Sequence, residues 1–259
     1  VDAPLADGAA PAELSARVLA VSDEPAAGYL PILFALRAGR RADLTVLATL
    51  AEPYARPDED DAGFYARERR VDHLDARALE CWREFSGRFV PAGAAVLDLM
   101  ASHDSHLPAK ARPGSVAGFG MNAAELDRNP LLSERVVHDL NADPRLPWDD
   151  ARFDVVLCAL SIEYLTRPEA VLREARRVLR PGGACVLTFS ERWFPPKAVL
   201  PWPTLLPFQR LAWALRHLQR AGFADLHTES LRGLPRSADD KYIRQTPFAD
   251  PLYAAWGSA

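Results

Sequence analysis

His103, Asp104 and His106 form the densest group of potentially reactive side chains in the sequence. Imidazoles three residues apart on a helical turn can share one metal ion. No third ligand follows at metal-type spacing, so no metal is assigned. The competing reading is structural: Ser102, Asp104 and Ser105 cap a short helix ended by Pro108, and both imidazoles make local hydrogen bonds. The cysteines add no ligand set. Cys81, Cys158 and Cys185 are odd in number and lack metal spacing, and two lie in apolar strand-like runs, as buried thiols in a reducing compartment do. Neither G-x-G-x-x-G nor a P-loop occurs, which weighs against binding of some other nucleotide by such a turn.

Composition narrows the classes further. Of 259 residues, 49% are apolar and 25% charged, an ordinary globular balance with room for one sizeable core and a small appendage. The net charge is −4 with Lys and Arg dispersed among Asp and Glu, so nucleic acid is not an expected partner. The longest apolar runs, such as 155–160, fall far short of the roughly 20 residues a bilayer span requires, and a soluble chain without a transmembrane helix is expected.

The elements that must position reactive groups follow from periodicity. Helix-compatible stretches at 12–21 and 29–50, the second interrupted at Gly39, predict an N-terminal helical extension. The acidic stretch 57–63 (PDEDDAG) reads as a linker, giving an extension over 1–63 and a main domain over 64–259. In the main domain a helix is predicted over 75–89, then buried strands at 94–100, 115–121, 135–138 and 153–160. The first two are joined by a crossover too short for a long helix. A helix over 166–180 follows, with Thr166 and Glu169 as a capping box and Gly182–Gly183 as its stop. A strand at 184–189, a helix at 208–221 and strands at 223–231 and 252–256 complete the pattern, which is that of a parallel α/β sheet with its ligand site beyond the carboxyl ends of the central strands.

VLDLM at 96–100, LPWDDARFDVVLCALSIEYL at 146–165, REARRVLRPGG at 173–183 and AGF at 221–223 together resemble the class I S-adenosylmethionine-dependent methyltransferases of the type 11 group. LDLMASHDSHLP at 97–108, GFGMNAAEL at 118–126, HDLNADPRLPW at 138–148, FYARERRVDHLD at 64–75 and DPLYAAWG at 250–257 resemble a divergent branch of that superfamily known chiefly from phototrophs. The resemblance implies a Rossmann-like α/β fold with a mostly parallel seven-stranded sheet flanked by helices. It also implies S-adenosylmethionine as cofactor and a plastid stroma as location, with cytoplasm as the alternative that equally fits the cysteines.

Carried onto this chain, the family's three turn glycines fall on Met100, Ser102 and Asp104, and its ribose-binding acid on Gly120. The missing charged contact alone corresponds to a cofactor affinity lowered roughly tenfold to a hundredfold. Asn122 can supply an amide oxygen in its place. Asp98 corresponds to the first-strand aspartate that orders the turn, and Asp139 with Leu140 to the position facing adenine; the alternatives are a capping residue and a solvated loop residue. Glu163, with Tyr164, falls where the family faces the methyl acceptor, as a base of raised pKa or else an exposed residue before a helix. His106 is a second candidate pocket residue, and Tyr65, Arg69 and His73 a candidate lid.

Two functions follow from these residues. One is methyl transfer to a small-molecule acceptor. The other is an inactive methyltransferase-shaped subunit acting as scaffold or assembly partner in a larger complex. The aromatic and proline-rich stretch 193–208 (WFPPKAVLPWPTLLPF) serves either: it covers a substrate site or docks a partner protein.

Overall fold

Side-chain alternation sorts the central strands onto two faces of one sheet. The computed structural model of the chain describes residues 15–19, 50–69 and 72–259. Along β2 (Ala95–Leu99), Leu97 and Leu99 enter one core while Val96 enters the other. The same division holds in β3 (Ser115–Gly120), with Ala117 and Phe119 against Val116, and in β5 (Phe153–Ala159), with Val156 and Cys158 against Val155 and Leu157. Strands buried on both faces read as continuous apolar runs, which is why these segments were legible.

Among the described residues the sheet has eight strands in the order β1-β7-β8-β6-β5-β2-β3-β4. The remaining strands are β1 (Ser15–Leu19), β4 (Glu134–Val137), β6 (Leu179–Phe189), β7 (Ala224–Leu231) and β8 (Leu252–Ser258). All pairings are parallel except those of β8 with β6 and β7. β2 through β8 form the expected seven-stranded, mostly parallel sheet. Chain order reverses between β2 and β5, and the crevice above that pair is where a sheet of this kind receives a ligand.

The helices are α1 (Asp61–Tyr65), α2 (Ala76–Gly87), α3 (Ala123–Arg128), α4 (Pro168–Val178), α5 (Pro201–Thr204) and α6 (Pro207–Arg220). Val171, Leu172, Ala175 and Val178 bury one stripe of α4, at about 1.5–3 kcal/mol for each full-sized aliphatic side chain. From α6, Trp213, Ala214 and Leu218 join the same core, while Trp82 of α2 belongs to a separate cluster. The three cysteines are free. Burial pushes the Cys185 thiol up to about 12 and Cys158 well above its ordinary value, so both behave as small apolar groups. No helix among the described residues is long and apolar enough to cross a membrane.

Several local expectations are corrected. The described part of the stretch at 12–21 is β1, paired in parallel with β7, because an edge strand satisfies its backbone along the sheet whatever its helical periodicity. The helix expected at 29–50 lies outside the described residues apart from Leu50. The capping box at 166–169 does not form: Arg167 is the N-cap, Thr166 bonds Asn141 Oδ1, and the Glu169 amide donates to Glu52 Oε1 at 2.6 Å. α4 passes straight into β6 at Leu179, so Gly182 and Gly183 lie inside the strand and do not stop the helix. Gly182 takes φ 78°, and a Cβ on Gly183 would stand 2.8 Å from the Asp154 carbonyl oxygen.

Contacts also run across the expected linker. Tyr54 is buried in the main core and donates its amide to Thr166 O at 2.7 Å, and the Asp58 amide reaches Pro196 O at 2.9 Å. Lys197, fully buried, donates to the carbonyls of Asp58 and Asp60 and stands 3.2 Å from Asp61 Oδ1, while Arg56 pairs with Asp61 Oδ2 at 2.7 Å. Acidity in 57–63 thus serves a buried ion-pair cluster, which composition alone does not distinguish from solvation.

Candidate functional site

Both strands of the reversal pair end on a residue with left-handed backbone. Met100 after β2 has φ 61° and Leu160 after β5 has φ 49°. Each costs roughly 1–2 kcal/mol for a residue with a Cβ. These two turns bend the chain away from the sheet and open a cleft between them. Met100, Ala101, Ser102, Leu160 and Ser161 line its floor. The cleft has a volume of about 100 Å³.

The turn after β2 is held by pairing and not by glycine. The Ala101 amide donates to Phe119 O at 2.9 Å, drawing the turn onto the end of β3. A Cβ on Gly120 would stand 2.3 Å from the Ala101 carbonyl oxygen, so a side chain at 120, acidic or otherwise, is excluded while the turn keeps this course. A different acid stands one turn later. Glu125 of α3 lines the cleft, accepting the Ser102 hydroxyl at 2.7 Å on Oε2 and the Arg69 amide at 2.7 Å on Oε1. Asn122 is the N-cap of α3: its Oδ1 accepts the Glu125 amide at 3.1 Å, and its Nδ2 donates to Tyr65 O at 2.8 Å. Sequence reasoning missed Glu125, although Asn followed three residues later by Glu is a helix-start signature that puts that acid beside the preceding turn.

Asp98 and His106 lie outside the cleft lining. By alternation Asp98 shares the face of Val96; it is 3% exposed, and burial, offset in part by Ser105, pushes its carboxyl up to about 6. The His106 ring stacks on Trp82 of α2 with centroids 4.3 Å apart. Its amide donates to Asp104 Oδ1 at 2.8 Å, and Asp104 also pairs with Arg83. His106 hydrogen bonding holds the Asp104 carboxyl well below the usual carboxylate range. No helix spans 102–107; an Asp turn takes its place. His103 turns to the Ser102 hydroxyl at 3.2 Å, so the two imidazoles do not converge on one point.

On the opposite wall stand Phe119, Gly120, His138, Asp139, Leu140 and Asn141. Asp139 Oδ1 accepts the amides of Asn141 and Ala142, fixing the loop after β4. Asn141, also missed, knits the site together: its Nδ2 donates to Asp61 Oδ2 at 2.9 Å and Tyr164 O at 3.0 Å. Glu163 is not in the cleft. It is fully buried with neither carboxylate oxygen bonded, and burial pushes it up to about 8. A carboxyl sealed from the cleft in its neutral form is not placed to take a proton there, which corrects its assignment as base. Tyr164 beside it does line the cleft, its hydroxyl accepting the Phe194 amide at 2.9 Å.

Tyr65, Arg69 and His73 line the cleft together with Phe194 from the proline-rich stretch. The Arg69 guanidinium lies 4.0 Å over the Phe64 ring and donates to Arg67 O, with no carboxylate partner among the described residues. His73 meets Phe194 edge-on at 5.4 Å, and burial, with His106 and His103 adding to it, lowers its pKa. The same stretch places Trp202 entirely within the core, against Phe189 and Trp213. Its aromatic surface is thus spent on packing and cleft wall, where a docking surface was the other expectation.

Residues 108–187 match the family model described as a methyltransferase domain. That match begins just beyond the divergent turn. The chain is 32% identical over 150 residues to the ubiquinone/menaquinone biosynthesis C-methyltransferase UbiE of Burkholderia mallei (strain SAVP1), covering 51% of this chain and 62% of that protein. The same figures hold for the UbiE of Burkholderia thailandensis, so the matched region spans less than two thirds of these relatives. A solved S-adenosylmethionine-dependent methyltransferase from Archaeoglobus fulgidus aligns with a TM-score of 0.50 at 14% identity, covering 71% of this chain and 93% of that one. With its sheet reversing over a cleft at β2 and β5, the chain has a Rossmann-like methyltransferase fold, and its residues 108–187 resemble the methyltransferase domain of that family model.

Proposed function

We propose that this domain binds S-adenosylmethionine in the cleft and transfers its methyl group to carbon of a small, flat, anionic acceptor. The observation that carries this reading is the left-handed Met100 turn, which keeps the crevice open without any glycine. The donor set fits the cofactor. Glu125 is a carboxylate that would accept ribose hydroxyls in place of the acid lost at Gly120, the Met100–Ser102 backbone would hold the methionine portion, and Leu140 with Phe119 would offer apolar surface beside Asp139 for adenine. When bound, the cofactor supplies an electrophilic methyl on sulfur.

The chain's own residues would do the rest by binding and exclusion of water. Arg69 would pair with an anionic oxygen of the acceptor, and Phe194, Tyr164 and Tyr65 would hold its plane. As the bond from acceptor carbon to methyl forms and the sulfur–methyl bond breaks, His73, kept neutral, would take the proton that carbon releases. The relatives' names as C-methyltransferases support carbon as the accepting atom. Calorimetry with S-adenosylmethionine and its demethylated product tests the reading. One-to-one binding, weakened about tenfold by Glu125→Gln, is expected; no heat at millimolar ligand overturns it.

A further inference from the structure

Away from the cleft, Glu52, Glu169 and His217 bring one ligand atom each within 4.8 Å of one another. They come from the segment before α1, the first turn of α4, and α6. His217 is 1% exposed, and its Nδ1 has no hydrogen-bond partner although Glu52 Oε1 stands 3.4 Å away. Its Nε2 lies 2.9 Å from the Tyr54 hydroxyl. A proton on Nε2, donated to that hydroxyl, leaves the Nδ1 lone pair facing carboxylate oxygens, an arrangement that a cation between them would satisfy.

We propose that Glu52, Glu169 and His217 form a site for a zinc-type divalent cation, with Tyr54 orienting the imidazole from behind. Ligand bonds of about 2.0–2.2 Å around a tetrahedral ion set neighbouring ligand atoms roughly 3.3–3.6 Å apart, and the His217 and Glu52 atoms already stand at such an edge. One imidazole and two carboxylates with an outer position left for water is a donor set for a borderline divalent ion. His217 forms the floor, while the two glutamate side chains are 18% and 17% exposed and give the ion a way in. Glu52 Oε1 also accepts the Glu169 amide, and Glu169 pairs with Arg173, so each carboxylate keeps an orienting partner. From Glu52 the chain continues to Arg56 and Asp61, so the ion would tie the support of the cleft wall to α4 and α6.

The test uses the tag-free full chain, stripped with chelator and titrated with zinc chloride and separately with cobalt chloride. One equivalent of zinc is expected, raising the melting temperature by about 5 °C or more at hundredfold excess over its Kd. Cobalt is expected to give the intense visible bands of a four-coordinate site. Glu52→Gln and Glu169→Gln, both at the rim, and His217→Ala should each abolish that equivalent and the cobalt bands. Binding that persists unchanged in the two glutamine variants, a weak octahedral cobalt spectrum, or no stoichiometric zinc in the wild type would overturn the site. S-adenosylmethionine binding is measured separately and bears on the cleft alone.

Discussion

At the β2–β3 end of the cleft the polar side chains are bonded to one another: Ser102 to Glu125, Asn129 to Ser102 O and Ser105, Asn122 to Tyr65 O. At the β5 end, Glu163 lies in the core with no partner, and cleft residues there are held by aromatic packing of Tyr164 and Phe194. Specific hydrogen bonds replace the conformational freedom of glycine at the first end. Burial, with its cost in pKa, dominates the second. A polar group's environment and not its position in a motif therefore decides which carboxylate meets a ligand.

The largest expected effect separates the two ends by pH. Native Glu163 stays protonated to about pH 8, whereas in the unfolded chain it ionises near its ordinary value of 4.5, so the native state holds more protons in that window. Its contribution to stability therefore falls as pH rises, by up to about 1.4 kcal/mol per pH unit, and levels off above 8. Glu163→Gln should remove that slope, making the variant relatively more stable at pH 8 than at pH 5 in urea denaturation. An unchanged slope would mean that the carboxyl is solvated.

Next in size is the buried ion cluster of Arg56, Asp61 and Lys197. Lys197→Met should cost about 3 kcal/mol, because Asp61 keeps Arg56 but loses a fully buried ammonium. Guanidinium denaturation measures it, and a loss below 1 kcal/mol would show that the cluster does not anchor 57–63. Gly120→Ala should cost about 2 kcal/mol and weaken S-adenosylmethionine binding, since its Cβ must displace the Ala101 carbonyl. Melting curves and calorimetry on one preparation report both effects.

The smallest change bears on the turn itself. Met100→Gly should leave stability within about 1 kcal/mol, relief of left-handed strain offsetting lost packing, whereas Met100→Val should cost about 2 kcal/mol. Equal melting temperatures for the two variants would place the turn's stability in the side chain and not in its φ.

Strand positions, the α4 stripe and the helical α6 were legible because continuous apolar runs and 3.6-residue periodicity are local properties. Of the candidate site, Met100, Ser102, Asn122, Asp139 and Leu140 line the cleft. Asp98, His106 and Glu163 lie outside the cleft lining because alternation and burial decide whether an acid or imidazole beside a motif faces open space or core. Glu125, Asn141, Lys197 and His217 became visible only through partners 23 to 163 residues away. Sequence by itself determined the order of strands β2 to β8 and of helices α2, α4 and α6, since each is specified by neighbours within a few residues. Tertiary structure alone decided which charges are paired, which are neutralised and which face open space, because desolvation and Coulomb energy depend on distances that the folded sheet creates.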